Sequence, residues 1–188
     1  MPTIYAKTDR LVLRGIEKSE LPRLVTLLNV WDIAQWLVVL PYPYTMQHAE
    51  EFYADMDLAE ASGEPQFYGI SLKSNSLLMG GVGLHPPRGT SAIKGDVEVG
   101  YWLGRDFWGH GFMNEAVQKV AAIGFSRPAT NALIATTSPE NVASQNVLQK
   151  LGMKNLGVML RDYSALRGDE KVVKWQVTRQ EWKAPRDL

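Results

Sequence analysis

Tyr101-Trp102-Leu103-Gly104-Arg105-Asp106-Phe107-Trp108-Gly109-His110-Gly111-Phe112-Met113-Asn114-Glu115-Ala116 is the stretch on which the fold turns. Its order is apolar strand, turn, two glycines separated by one residue, and helix start. Glycine tolerates the backbone of a tight turn and lets the main chain approach a ligand, and the first amides of a helix have no acceptor within that helix. A helix N-terminus of this form binds anions, and a phosphorylated cofactor is the occupant it implies. After Gly111, the residues Met113, Ala116, Val117, Val120, Ala121 and Gly124 fall on one stripe of a helix, which Pro128 brings to a stop.

Outward from this stretch, residues 96–103 form the strand that feeds it. Residues 67–72 and 77–84 flank the polar turn Lys73-Ser74-Asn75-Ser76, which predicts an antiparallel hairpin, and 85–95 is a loop marked by Pro86-Pro87 and Gly89. Gly80-Gly81-Val82-Gly83 sits inside a strand pattern with no helix after it, so close backbone packing or a bulge accounts for it. Downstream, the pattern predicts a strand over 133–137, a helix over 141–151 that Gly152 terminates, and strands over 156–160 and 172–178 around a polar loop at 164–170.

Toward the N-terminus, Leu11, Val12 and Leu13 between Arg10 and Arg14 form a first strand. Ser19 is expected to cap a helix reaching Leu28 with Pro22 in its first turn. A second helix is expected from Thr45, with Ala49, Phe52, Tyr53 and Met56 at helical spacing and Gly63 as its stop. The aromatic segment from Trp31 to Tyr44 fits no regular period. A β-rich beginning followed by strand-helix-strand-helix units implies an α/β fold: a mixed central β-sheet flanked by helices in one domain spanning residues 1–188.

Composition narrows the function classes. The 188 residues are 45% hydrophobic, ordinary for a chain that buries a real core. Lys plus Arg and Asp plus Glu number 20 each, so no global field favours nucleic acid or an anionic membrane. Cysteine is absent, which removes disulfides, thiolate nucleophiles and cysteine metal sites, and leaves the redox compartment open. The segment from Met1 to Lys7 lacks the apolar core of a signal peptide and no long apolar run follows, so a cytoplasmic protein is expected. Oligomeric state stays open, a homodimer included.

Familiar phosphate-binding patterns fit the glycine turn poorly. A nucleotide-hydrolase loop needs Lys and then Ser or Thr after its last glycine, where Phe112 and Met113 stand. A dinucleotide fingerprint needs a third glycine at Asn114 and an acidic residue after the next strand, where Thr136 and Thr137 lie.

The pattern instead resembles the GNAT acyltransferases, and within them the RimJ/RimL-like branch. Thr8-Asp9-Arg10-Leu11-Val12-Leu13-Arg14 is similar to that branch's opening strand, and Glu98-Val99-Gly100-Tyr101-Trp102-Leu103 to the strand beside its cofactor. Trp108-Gly109-His110-Gly111-Phe112-Met113-Asn114-Glu115-Ala116 is similar to its pyrophosphate loop, and Asn141-Val142-Ala143-Ser144 with Lys150-Leu151-Gly152-Met153 to its distal cofactor helix. The resemblance covers nearly the whole chain. Two positions depart from the pattern: Met113 stands where a small residue is usual, and Leu148 aligns with a tyrosine that serves many relatives as proton donor.

What the resemblance implies is an N-acetyltransferase that moves an acetyl group from acetyl-CoA, as co-substrate, to a primary amine, with no metal. The pyrophosphate would lie on the loop formed by Trp108, Gly109, His110, Gly111, Phe112 and Met113. The pantetheine arm would pair with the backbone of Tyr101, Trp102 and Leu103, and Asn141 and Ser144 would face the arm or the thioester. The implied reaction is direct attack of a neutral amine. At pH 7, neutralising a lysine-like amine costs roughly 4.6 kcal/mol, against roughly 1 kcal/mol for an α-amine, so a weak base or water chain suffices for the second. Glu98 is the candidate base, set against the reading that it is an exposed strand carboxylate without a role. Ser144 is a candidate contact for the departing thiolate, although a serine hydroxyl is too weak an acid to donate readily to it.

Other conspicuous residues have plainer readings. His110 is expected to be solvated, and His48 and His85 have no matching ligand set, so the three histidines predict no metal site. Trp31 and Trp36 are expected in the core, Tyr42 and Tyr44 in loop packing or an acceptor pocket, and Asp162 and Glu170 in solvent or facing a cationic acceptor. Two other functions stay open: a CoA-binding module without catalysis, motivated by Leu148 and Met113, and, well behind, a nucleotide-binding enzyme built on the same turn.

Overall fold

A computed structural model describes residues 2–37, 39–62, 66–87, 93–161 and 170–184, and the side chains of all of these except Glu170. Its elements are β1 (Ile4–Lys7), β2 (Leu11–Arg14), α1 (Leu21–Leu28), α2 (Trp31–Ala34), α3 (Met46–Ala61), β3 (Phe67–Leu72), β4 (Leu78–His85), β5 (Asp96–Leu103), α4 (Phe112–Ser126), β6 (Ala132–Thr137), α5 (Val142–Lys150), β7 (Lys154–Arg161) and β8 (Glu170–Thr178). The strands form one sheet in the order β1-β2-β3-β4-β5-β6-β8-β7. Every neighbouring pair is antiparallel except β5 and β6, which α4 connects as a parallel crossover.

Strand alternation divides the core between two faces. On one face Val99 and Leu103 of β5, Val82 and Leu84 of β4 and Leu133 of β6 pack with Ala116, Val117, Val120 and Ala121, the helical stripe of α4. On the other, Trp102 and Leu78 pack under Leu21, Leu24 and Leu28 of α1, Ile33 of α2 and Ala49 of α3. The β4 glycines permit this two-sided packing. A Cβ on Gly81 would run into the Phe67 ring, one on Gly80 into the Trp102 carbonyl oxygen, and the register with β3 shifts between Ile70 and Ser71. Close packing and a bulge both occur there.

Some local expectations need correction. Ser19 caps nothing; it lies in a 3-10 turn, Lys18–Glu20, where Glu17 and Glu20 form a reciprocal capping box and lead into α1 with Pro22 in its first turn. Thr45 does cap α3, its side chain accepting from the His48 amide, while the expected stop at Gly63 lies outside the described residues. The polar loop at 164–169 lies outside them as well. Strand β1 had no sequence signal of its own and exists by pairing with β2.

Candidate active site

The glycine turn is built as an anion cradle. Gly109 and Gly111 have φ of 79° and 77°, left-handed values that favour glycine, and Gly111 is the N-cap of α4. A Cβ on Gly109 would meet nothing within 4 Å, so the turn needs glycine for its backbone and the space in front of it is open. The Trp108 amide is used by the Arg105 carbonyl and the Glu115 amide by that of Gly111. Among the described residues nothing accepts from the amides between them, Gly109 to Asn114. Met113 points into the core, 8% exposed, and so does not crowd the loop.

A distant segment holds the cradle in place. The Glu115 carboxylate accepts from the Thr8 hydroxyl, from the Arg10 amide at 2.9 Å and from Arg10 Nε at 2.7 Å, while Arg10 Nη1 donates to the His110 carbonyl at 3.0 Å. The same guanidinium lies over the Phe112 ring, 4.6 Å from its centroid. Burial opposes ionisation of Glu115, but the hydrogen bonds from Thr8 and Arg10 outweigh it and hold this carboxyl below the usual range. Thr8-Asp9-Arg10 thus braces the turn that the sequence placed a hundred residues away.

Beside the cradle the sheet opens. The register of β5 with β6 is Asp96↔Ala132, Val97↔Leu133 and Glu98↔Ile134, and it ends there although β5 continues to Leu103 and β6 to Thr137. The parted strands form part of a cleft of about 1060 Å³ that the glycine turn, the start of α5 and residues of α1 and α3 also line. Tyr101 and Ser144 face each other across it: their hydroxyls are 2.9 Å apart, and Tyr101 Oη donates to the Ser144 carbonyl at 3.1 Å. Burial pushes the Tyr101 phenol upward, only partly offset by Ser144. Asn141 caps α5, its Oδ1 accepting from the Ser144 amide at 3.0 Å. Trp102 and Leu103 bury their side chains in the two cores, so only their backbones remain for a ligand, and the Leu103 carbonyl already accepts from Trp108 Nε1 at 2.7 Å.

A parted parallel strand pair next to an unsatisfied helix N-terminus agrees with what comparison finds. The profile described as "Acetyltransferase (GNAT) domain" matches residues 10–154, a segment holding both features. The chain belongs to the GNAT acetyltransferase family. It is 30% identical over 168 residues to the uncharacterized N-acetyltransferase p20 of Bacillus licheniformis, covering 89% of this chain and 90% of that one. Among solved structures, the RimL ribosomal L7/L12 α-N-protein acetyltransferase in complex with coenzyme A shares its fold with a TM-score of 0.73 at 21% identity, over 93% of this chain and 97% of the other. RimJ of Mycobacterium smegmatis, in complex with a CoA disulfide, gives 0.74 at 16% identity over 91% and 83%. The family resemblance and the mixed-sheet fold expected from the sequence are borne out.

In this GNAT acetyltransferase Glu98 lies at the point where the strands part and is 7% exposed, so it is no exposed strand carboxylate. Thr136 Oγ1 donates to its Oε1 at 3.3 Å, and Arg161 Nη2, also buried, donates to Thr136 Oγ1. Its Oε2 lies 3.9 Å from His85 Nδ1. In the sequence His85 stood only as a histidine with no metal-ligand set and Arg161 was not singled out, because His85 approaches Glu98 from β4, Arg161 reaches Thr136 from β7, and no local spacing announces either. Leu148, at the tyrosine position, is fully buried and has no polar atom to offer.

The aromatic segment divides differently from expectation. Trp31 is 53% exposed and stacks edge-on with the exposed Tyr42, whereas Tyr44 is buried and Trp36 half-buried. Core packing of Trp31 fails because α2 is a single turn that turns Ile33 and Ala34 inward. Trp36 and Tyr44 line the cleft with Phe52 and Met56 of α3. His110 is exposed beside Phe112. Asp162 and the Glu170 side chain lie outside the described residues. Among the described residues no helix is long and apolar enough to cross a membrane.

Proposed function

We propose that the chain transfers the acetyl group of acetyl-CoA to a primary amine, either the α-amine of a protein N-terminus or that of a small molecule. The observation that carries this reading is the meeting, in one cleft, of free amides from Gly109 to Asn114 with a strand edge unpaired beyond Glu98. The amides suit the pyrophosphate, each charge favoured by the helix dipole by about 0.3–1 kcal/mol beyond direct hydrogen bonds. The free edge from Tyr101 to Leu103 suits the amide-bearing pantetheine arm, and Ser144 stands where the arm would end. Acetyl-CoA supplies the activated acyl group; the chain orients it and accepts the proton that the amine loses. The Glu98 carboxylate is the negative charge that supports removal of that proton, and the Ser144 hydroxyl a contact for the sulfur.

An α-amine acceptor is favoured energetically, since its neutral form is within about 1 kcal/mol at pH 7. RimL, the ribosomal L7/L12 α-N-protein acetyltransferase whose fold this chain shares, takes an acceptor of this kind. Isothermal titration with acetyl-CoA and thiol release with a panel of α-amines and lysine side-chain analogues test the proposal. Binding together with steady CoA release supports it; absence of acetyl-CoA binding overturns it, and binding without release to any amine leaves a catalytically inactive CoA-binding module.

A further inference from the structure

We propose that His85 is the catalytic base of the acyl transfer and that Glu98 acts through it. The inference rests on the acetyltransferase reading above and deepens it. His85 ends β4 directly opposite Glu98 in the antiparallel register, and both side chains line the cleft where β5 and β6 part. Its Nδ1 lies 3.0 Å from the Pro86 carbonyl oxygen, which can only accept, and 3.9 Å from Glu98 Oε2, too far for a direct hydrogen bond but close enough for an ion pair once the ring is charged. The carbonyl acceptor selects the tautomer that carries the proton on Nδ1, which leaves the lone pair on Nε2.

Nε2 is directed to the right place. A Cβ built on Gly100 would lie 3.4 Å from it, so the ring stands over the bare backbone of Gly100, within the β5 segment that has lost β6 as a partner. Gly100 keeps the backbone beneath Nε2 free of a side chain. Glu98, by contrast, has one oxygen engaged by Thr136 and the other turned to the imidazole. The nearest route from the carboxylate to the reacting amine therefore runs through the ring.

The step balances. The amine lone pair forms the C–N bond to the thioester carbonyl carbon, and the C–S bond breaks with its electron pair on sulfur. The proton shed by nitrogen is taken by Nε2, and the imidazolium is held by the Glu98 carboxylate until it releases the proton to water. The thiolate takes a proton from water, so the products are the amide and CoA thiol.

His85→Asn keeps an N–H on the Pro86 side and removes the base, and His85→Ala leaves a ring-sized hole open to the cleft. For both, turnover of the fastest acceptor in the amine panel should fall about a hundredfold, with acetyl-CoA affinity by isothermal titration unchanged. Added imidazole should restore turnover to His85→Ala and not to His85→Asn. Wild-type turnover in His85→Asn, or no rescue of His85→Ala by imidazole, overturns the proposal and leaves the acetyltransferase reading standing. A wild-type chain that binds no acetyl-CoA or releases no CoA overturns both.

Discussion

A single residue, Glu98, shows how burial converts a common side chain into a site. It is nine-tenths buried because His85, Thr136 and Arg161 surround it, and the nearest charges and dipoles differ in sequence by many positions. Glu98→Gln keeps the shape and the Thr136 contact but removes the negative charge. Turnover should fall about a hundredfold or more with acetyl-CoA affinity nearly unchanged, and steady-state kinetics beside titration checks the split. Unchanged kcat would remove Glu98 from the mechanism. Gly111 is a second such position, because its φ of 77° is a conformation that a β-branched residue resists. Gly111→Val should cost about 1–3 kcal/mol of loop geometry and weaken acetyl-CoA binding by about tenfold or more. Retained affinity would mean that the cofactor does not sit on this turn. At this scale the sequence was informative about Glu98, the glycines and Ser144, which lie in contiguous motifs. It gave His85 no role beyond the absence of a metal-ligand set and was silent about Arg161 and the Tyr101–Ser144 contact, since those depend on which elements become neighbours.

Among the elements, β4 carries the greatest packing demand, with a helix-covered core on each face. Phe67 of β3 lies across Gly81, and its ring meets Phe52 of α3 edge-on at 5.0 Å between centroids. Gly81→Ala pushes that ring into α3, and overpacking of this sort costs about 1–3 kcal/mol. The thermal midpoint should drop. An unchanged midpoint would mean that the ring has room to move. The long elements were legible because their periods are strong: α4 kept its stripe, the 67–84 hairpin formed about its polar turn, and α5 stopped at Gly152. Of the short elements β2 was read and two others were not. Strand β1 and helix α2 span four residues each, too few for any period, and pairing or packing with neighbours decides them. Trp31 was misplaced for the same reason, since residue type favoured burial and a single helical turn faced it outward.

Over the whole molecule, two ion pairs tie the first strands to the rest and link stability to pH. Arg14, 5% exposed, forms a fork with Glu20 at 2.6 and 2.7 Å, and Arg10 pairs with Glu115. Burial opposes ionisation at Glu20 as at Glu115, and hydrogen bonds from Arg14 and the Glu17 amide at the first, and from Thr8 and Arg10 at the second, overcome it, so both carboxyls are held below their ordinary range. A carboxyl depressed in the folded state stabilises fully above its unfolded value, near 4.3, and loses that contribution as pH falls through the lowered folded value. Thermal stability should accordingly decline below about pH 4, and Glu115→Gln should flatten that acid limb while loosening acetyl-CoA. An unaltered limb would exclude the Arg10 brace as a contributor. The sheet order and the splay belong to this scale too; the order of elements in the chain implied a mixed sheet but not that β8 lies between β6 and β7. The splay follows from three residue pairs ending at Glu98, a boundary that no composition rule marks.

That boundary gives the sheet an unfinished seam. Beyond it β5 has no pairing with β6, so under the proposed function an arm that carries its own amides would complete the seam as a borrowed strand. Occupancy by such a guest would knit the two halves of the sheet together and make the substrate a temporary part of the architecture that holds it.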